Sequence, residues 1–148
     1  MIEAQSVGQG VSLVVRPPAY SYSYLMDIDV ITREIIGSAI EVHKHWGPGL
    51  YEEIYQKSLC RELLLRKIPF VSQMQMPLLY KGESVGNNLR LDLMVNNEVI
   101  VEIKAVAYLE EIHAAQLLSY MRLTKCRTGL LINFNVPVLK NGIKRMAL

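Results

Sequence analysis

"RLDLMVNNEVIVEIKAV", residues 90–106, decides how the rest of the chain is read. Leu91, Leu93 and Val95 alternate with other residues before a polar turn, as does Leu89 just upstream, and Val99, Val101 and Ile103 alternate after it. Period-two alternation marks a β-strand with one apolar face. Asn96-Asn97 lies between the two runs, and asparagine tolerates the backbone of a two-residue hairpin turn. The stretch is therefore expected to be an antiparallel hairpin with its aliphatic residues on one face. Three charges are left over: Asp92, Glu102 and Lys104. Glu102 and Lys104 are two apart and project from the same side of their strand. Asp92 sits near Glu102 across the hairpin, so the three heads converge if Asp92 faces the same way.

Two carboxylates taken out of water together are costly, or their pKa values rise sharply. Two accounts remove that cost. One is a cross-strand ion pair between Lys104 and either carboxylate at the rim of a half-exposed sheet. The other is a divalent cation. Mg²⁺ takes a few carboxylate oxygens, keeps several waters and suits phosphate chemistry. Held there, it polarises a phosphodiester and acidifies a bound water. Lys104 would then orient or help activate that water and stabilise charge developing on the phosphate. The D-x(9)-E-x-K spacing by itself leaves both accounts open.

Working outward, Ile28, Ile31, Ile35, Ala39 and Val42 recur at three- and four-residue spacing, which predicts a helix from Asp27 to the breakers Gly47, Pro48 and Gly49. A second helix is expected from about Tyr51 to Arg66, with Ile54, Leu59, Leu63 and Leu64 as its apolar stripe. Glu53, Lys57 and Arg61 are spaced for i,i+4 pairing on its outer face. Phe70 to Tyr80 reads as strand, with Pro77 marking an edge or a bulge. A third helix is expected over about Ile112 to Thr124, burying Ala114, Leu117, Leu118 and Met121. "RTGLLINFNV" is a continuous apolar run, as in a strand covered on both faces. The fold class is α/β, a mixed sheet flanked by helices. The last helix makes a right-handed crossover if the strands it joins are parallel.

Residues 1–23 differ in character. Pro17-Pro18 and the Tyr20, Tyr22, Tyr24 alternation suggest a flexible leader, which leaves 24–148 as the domain. The chain of 148 residues is 51% hydrophobic and 20% charged, ordinary for one globular domain. No run is long enough for a membrane helix. Glu3 and the absence of early Lys or Arg argue against a secretion signal. Cys60 and Cys126 stand alone, as reduced thiols do in a cytoplasmic protein. The net charge of +2 neither announces nor excludes a nucleic-acid partner. The closing "KNGIKRMAL" is read as a solvated basic tail.

Further residues cluster with the charged hairpin. Gln116 and Tyr120 are four apart on the third helix, away from its leucines, with His113 on much the same side. Glu52 and Tyr55 follow the glycine break on one face of the second helix. Arg90, two before Asp92, is placed to meet a carboxylate or a phosphate. His43 and His45 are expected to be helix-end imidazoles, and Trp46 to pack.

With these blocks in order, the sequence resembles the PD-(D/E)XK nuclease superfamily. More narrowly, it is similar to the small bacterial proteins named for a G-x-x-E-x-x-Y motif, here Gly49, Glu52 and Tyr55. The resemblance runs from about Tyr24 to Leu148 and implies a restriction-endonuclease-like core, a central mixed β-sheet flanked by α-helices. It implies Asp92 and Glu102 as metal ligands, Lys104 as the catalytic lysine, Glu52 as the helix-borne glutamate, and Gln116 with Tyr120 as the Q-x-x-x-Y element of RecB-like nucleases. Leu91 stands in place of the motif's proline before the aspartate, a proline that is often absent in the superfamily. The four cysteines of iron–sulfur RecB-like members are missing.

The expectation is a Mg²⁺- or Mn²⁺-dependent nuclease acting on nucleic acid, with DNA first. Asp92, Glu102 and the Ile103 carbonyl would hold the metal; Lys104, Glu52, Gln116 and Tyr120 would serve catalysis. The alternative is a non-catalytic nucleic-acid-binding or accessory module that keeps the fold. No membrane partner is expected. So small a chain has little surface for gripping a duplex, which leaves a homodimer as an open expectation.

Overall fold

The computed structural model describes residues 26–148 throughout, together with the backbone of two N-terminal strands, β1 (Ile2–Ser6) and β2 (Val11–Val15). These strands pair antiparallel within the stretch expected to be a leader. The Pro17-Pro18 and Tyr20–Tyr24 expectations lie outside the described residues.

Helix α1 (Ile28–Trp46) starts at Asp27, whose carboxylate accepts the Asp29 N–H at 3.0 Å. An acidic N-cap satisfies a donor the helix cannot. Its buried stripe is Ile31, Ile35, Ala39 and Val42, as the spacing predicts. It ends at Gly47, whose φ of 65° suits glycine. Helix α2 (Glu52–Leu65) buries Tyr55, Leu59, Cys60 and Leu63. Ile54, expected in that stripe, is 38% exposed, because Tyr55 and Cys60 take the inward positions. Glu53 and Lys57 pair at 2.6 Å on the outer face.

The remaining elements are β3 (Phe70–Met76), β4 (Leu79–Tyr80), β5 (Glu83–Ser84), β6 (Leu89–Val95), β7 (Val99–Lys104), α3 (Glu111–Thr124), β8 (Thr128–Asn133) and β9 (Ile143–Ala147). Among the described residues seven strands form one sheet in the order β1-β2-β3-β6-β7-β8-β9, while β4 and β5 form a separate small hairpin. The expected Phe70–Tyr80 strand is split at Pro77, which lies between β3 and β4; β3 pairs with β2 only at Phe70 and Val71, away from the proline. The basic tail is likewise not free. It forms β9 against β8, and Arg145 reaches Asp29 at 2.8 Å.

Asn96 and Asn97 both adopt left-handed backbone, φ 52° and 57°, and close the β6–β7 turn as read from sequence. β7 and β8 are parallel neighbours joined through α3, whereas the other pairs in the sheet are antiparallel. Two cores result. Helices α1 and α2 pack on Val99, Val101, Ile103, Leu130 and Ile132; α3 packs on the opposite face against Ile100 and Leu131. This is a restriction-endonuclease-like α/β sandwich.

One departure from simple alternation positions the site. Leu93 and Val95 lie in the α1/α2 core, but Leu91 and Leu89 pack with the α3 core. The expected single aliphatic face of β6 therefore changes sides at Asp92. β3 does the same, with Phe70 in the α1/α2 core and Met74 and Met76 with α3. Ser72 pairs with Leu93 and Met74 with Leu91, but the intervening Gln73 and Asp92 are unpaired. Gln73 has φ 53°, a left-handed residue that breaks the two-residue period. Both strands shift phase at one level of the sheet.

Candidate functional site

The regular β6–β7 ladder ends at Leu93 and Val101. The next pair would be Asp92 and Glu102, and their side chains replace the missing backbone bonds. Asp92 Oδ2 accepts the Ile103 N–H at 2.8 Å, and Glu102 Oε1 accepts the Asp92 N–H at 3.4 Å. The phase shift thus turns a strand interior into a pair of interlocked carboxylates. Glu102 is 4% exposed.

Burial is the chief force on both carboxylates. It pushes Glu102 up to about 8, helped by the adjacent Asp92 charge, while the Asp92 N–H and Lys104 act the other way. Asp92 is also raised, chiefly by burial, against the Ile103 N–H, Lys104, Glu102 and Arg90. Burial therefore disfavours the charged form of both carboxyl groups, and Lys104 offsets that only in part. Lys104 is half-buried at the end of β7. The five ion pairs among the described residues do not include it, so it forms no direct ion pair with either carboxylate.

Helix α3 completes one wall. Gln116 Nε2 donates to the Tyr120 hydroxyl at 2.7 Å. The Tyr120 phenol is raised by burial and then by the Glu102 charge, with Asp92 adding to it, which ties the Q-x-x-x-Y pair electrostatically to the carboxylates. His113 plays a different part. Its Nδ1 accepts the Glu110 N–H at 3.0 Å and closes a capping box at the start of α3.

Helix α2 forms another wall. Gln56 Nε2 donates to the Asp92 main-chain carbonyl at 3.3 Å. Glu52 is one turn earlier on the same face, exposed, and its side chain makes no hydrogen bond or ion pair with another described residue. Tyr55 does not bond to Glu52. It is fully buried, stacks on Phe134 with ring centroids 4.5 Å apart, donates to Gly47 O at 2.6 Å and accepts from Leu50 N at 3.1 Å. It holds the corner in which Gly49 has φ 102°. His43 Nε2 lies 2.7 Å from Val136 O, and Trp46, expected to pack, is 46% exposed with its indole N–H on Ser58 Oγ at 2.9 Å.

Sequence reasoning missed Gln56 and Asn133. Asn133, 2% exposed, accepts from Val106 N at 3.1 Å and donates to Val106 O at 2.9 Å. It clamps the chain two residues beyond Lys104. An amide closing the apolar run "LLIN" was the available signal. Gln56 left none, since its surroundings on α2 are those of any helix surface.

The donor chemistry suits a hard divalent cation. Two buried carboxyl groups share one space, and the nearby Lys104 charge offsets their burial only in part. Among the described residues no three His, Cys, Asp or Glu side chains group as a metal cluster. The protein thus offers two carboxylates, with backbone oxygen and water for the remaining positions, a set that Mg²⁺ accepts readily.

A mixed sheet with interlocked acidic residues, a lysine two beyond the second acid, and a Gln–Tyr pair on the crossover helix defines the class of a nuclease-type fold. The sequence model of the PD-(D/E)XK nuclease superfamily matches residues 29–146, and the chain belongs to that superfamily. No curated protein and no solved structure gives a significant match.

Proposed function

We propose that the protein is a Mg²⁺-dependent nuclease that hydrolyses phosphodiester bonds in DNA, and that it belongs with the proteins carrying the G-x-x-E-x-x-Y motif. The observation that carries this reading is the buried Asp92–Glu102 pair beside Lys104 at the phase shift of β6. Asp92, Glu102 and the Ile103 carbonyl would hold Mg²⁺ or Mn²⁺. A cation bound there supplies Lewis acidity toward the phosphate and lowers the pKa of coordinated water.

The chain's own residues do the rest. The Lys104 ammonium donates to the attacking water and to the phosphate oxygen on which charge builds. Water oxygen bonds to phosphorus, the bond from phosphorus to the leaving sugar oxygen breaks, and that oxygen takes up a proton. Gln116, anchored by Tyr120, orients the water or the nucleotide, and Glu52 approaches from α2 to assist.

The test is cleavage of single- and double-stranded DNA and RNA by purified protein with Mg²⁺ or Mn²⁺. Lys104→Ala should lower the rate by about 10²–10³-fold, the usual loss for one charge-stabilising donor. Indistinguishable wild type and variant on every substrate sinks the catalytic reading. The other reading is a non-cleaving nucleic-acid-binding or accessory module that keeps the fold. That module predicts no Mg²⁺ heat in calorimetry that depends on Asp92 and Glu102.

A further inference from the structure

At the base of the β4–β5 hairpin, reaching to Arg90 two residues before Asp92 on β6, lies an open groove of about 540 Å³ lined by Gln75, Gly86, Asn87, Asn88 and Arg90. Its polar groups are three side-chain amides and one guanidinium. Asn88 Nδ2 donates to Gln75 Oε1 at 3.4 Å, an amide pair that leaves Asn88 Oδ1 as an acceptor and Gln75 Nε2 as a donor. Arg90 is exposed and forms no ion pair with another described residue, and its charge acts on Asp92 two positions along β6. Two strand residues span about 7 Å, which puts the long Arg90 side chain within reach of a group held at Asp92.

We infer that this groove is a subsite for an unpaired nucleotide flanking the scissile phosphate, so that the substrate is single-stranded on that side. The inference rests on the nuclease reading. Its volume falls in the usual range of about 300–1,000 Å³ for small-ligand sites. Adjacent amide donor and acceptor groups match the edge of a base. In a duplex the Watson–Crick edge of a base is occupied by its partner, so the groove's amides can bond that edge only on an unpaired, splayed-out base. Arg90 meets the neighbouring phosphate with its planar fork. The amides supply preference and the guanidinium supplies affinity.

The experiment is fluorescence anisotropy on the full chain carrying Lys104→Ala, with Mg²⁺, using labelled single-stranded and blunt duplex oligonucleotides. Gln75→Ala and Asn88→Ala, each added to that parent, should weaken single-strand binding about tenfold and leave duplex binding unchanged. Arg90→Ala should weaken both and reduce the salt slope by about one. All three positions are exposed, and unchanged melting temperatures will confirm folding. Amide variants that bind single strands as tightly as the parent, or that lose duplex binding equally, overturn the subsite. Cleavage by the chain with native Lys104 separates the two claims. If it cuts but the amide variants bind normally, only the subsite fails. If those variants lose single-strand binding but the chain never cuts, only the nuclease reading fails.

Discussion

Asp92 and Glu102 carry the same formal charge into one buried space, and this fixes how stability must respond to pH. A carboxyl group whose pKa is raised by folding holds its proton more tightly in the native state than in the unfolded chain. That preference is fully present below the unfolded value of about 4.3, and is lost as pH rises toward the folded value, about 8 for Glu102. The raised Asp92 acts in the same direction. Metal-free protein should therefore be more stable at pH 5 than at pH 8.5, by on the order of a few kcal/mol. Denaturant melts in EDTA at both pH values check this. Glu102→Gln should flatten the dependence, and Mg²⁺ at pH 8.5 should raise the midpoint of wild type but not of Glu102→Gln. A wild-type midpoint that climbs with pH in EDTA contradicts the account.

At the scale of elements, the corner between α1 and α2 depends on one hydroxyl. Tyr55 OH bridges Gly47 O and Leu50 N from a fully buried ring. Tyr55→Phe keeps the stack on Phe134 but leaves those groups unsatisfied, and should cost about 1–2 kcal/mol. Gly49→Ala has open space around it, so its cost is backbone strain at φ 102°, about 1–2 kcal/mol. Both are measured by urea melts. Because Glu52 follows this corner directly, both variants should also lower nuclease activity more than their stability loss explains. The legibility of the chain divides at the same scale. Helix periodicity placed α1, α2 and α3, and alternation with Asn96-Asn97 placed the β6–β7 hairpin. The charged residues of the site were visible because charges in an apolar pattern need a reason. The phase shift was hidden, since Gln73 carries no composition signal for a left-handed backbone and Leu89 to Val95 alternate without a break. β9 was hidden because an edge strand needs little apolar character, and its basic residues face solvent. Glu52 was legible as a helix-start carboxylate, but the fold around it shows only that Gln56, one turn on, touches Asp92.

Across the whole molecule, the two cysteines sit in opposite cores. Cys60 lies on α2 in the α1/α2 core, and Cys126 lies in the α3 core, with Sγ 3.5 Å from Met94 Sδ. Burial pushes the Cys60 thiol up to about 12, with Asp92 adding to the shift, so it is a poor nucleophile as well as an inaccessible one. Thiol labelling then reports opening of each core separately, through Cys60→Ala and Cys126→Ala single-thiol chains. Native protein at pH 8 should label slowly at both positions, at rates set by unfolding. The seam joining the cores is the phase shift at Asp92. A cation bound there stabilises only the state in which both faces are assembled. At a Mg²⁺ concentration of 100 Kd, labelling through global unfolding should slow by about 100-fold, equally for the two thiols, and Asp92→Asn should abolish the effect. If Mg²⁺ protects Cys60 alone, α2 opens from the sheet independently of α3, and the site closes one core rather than joining two.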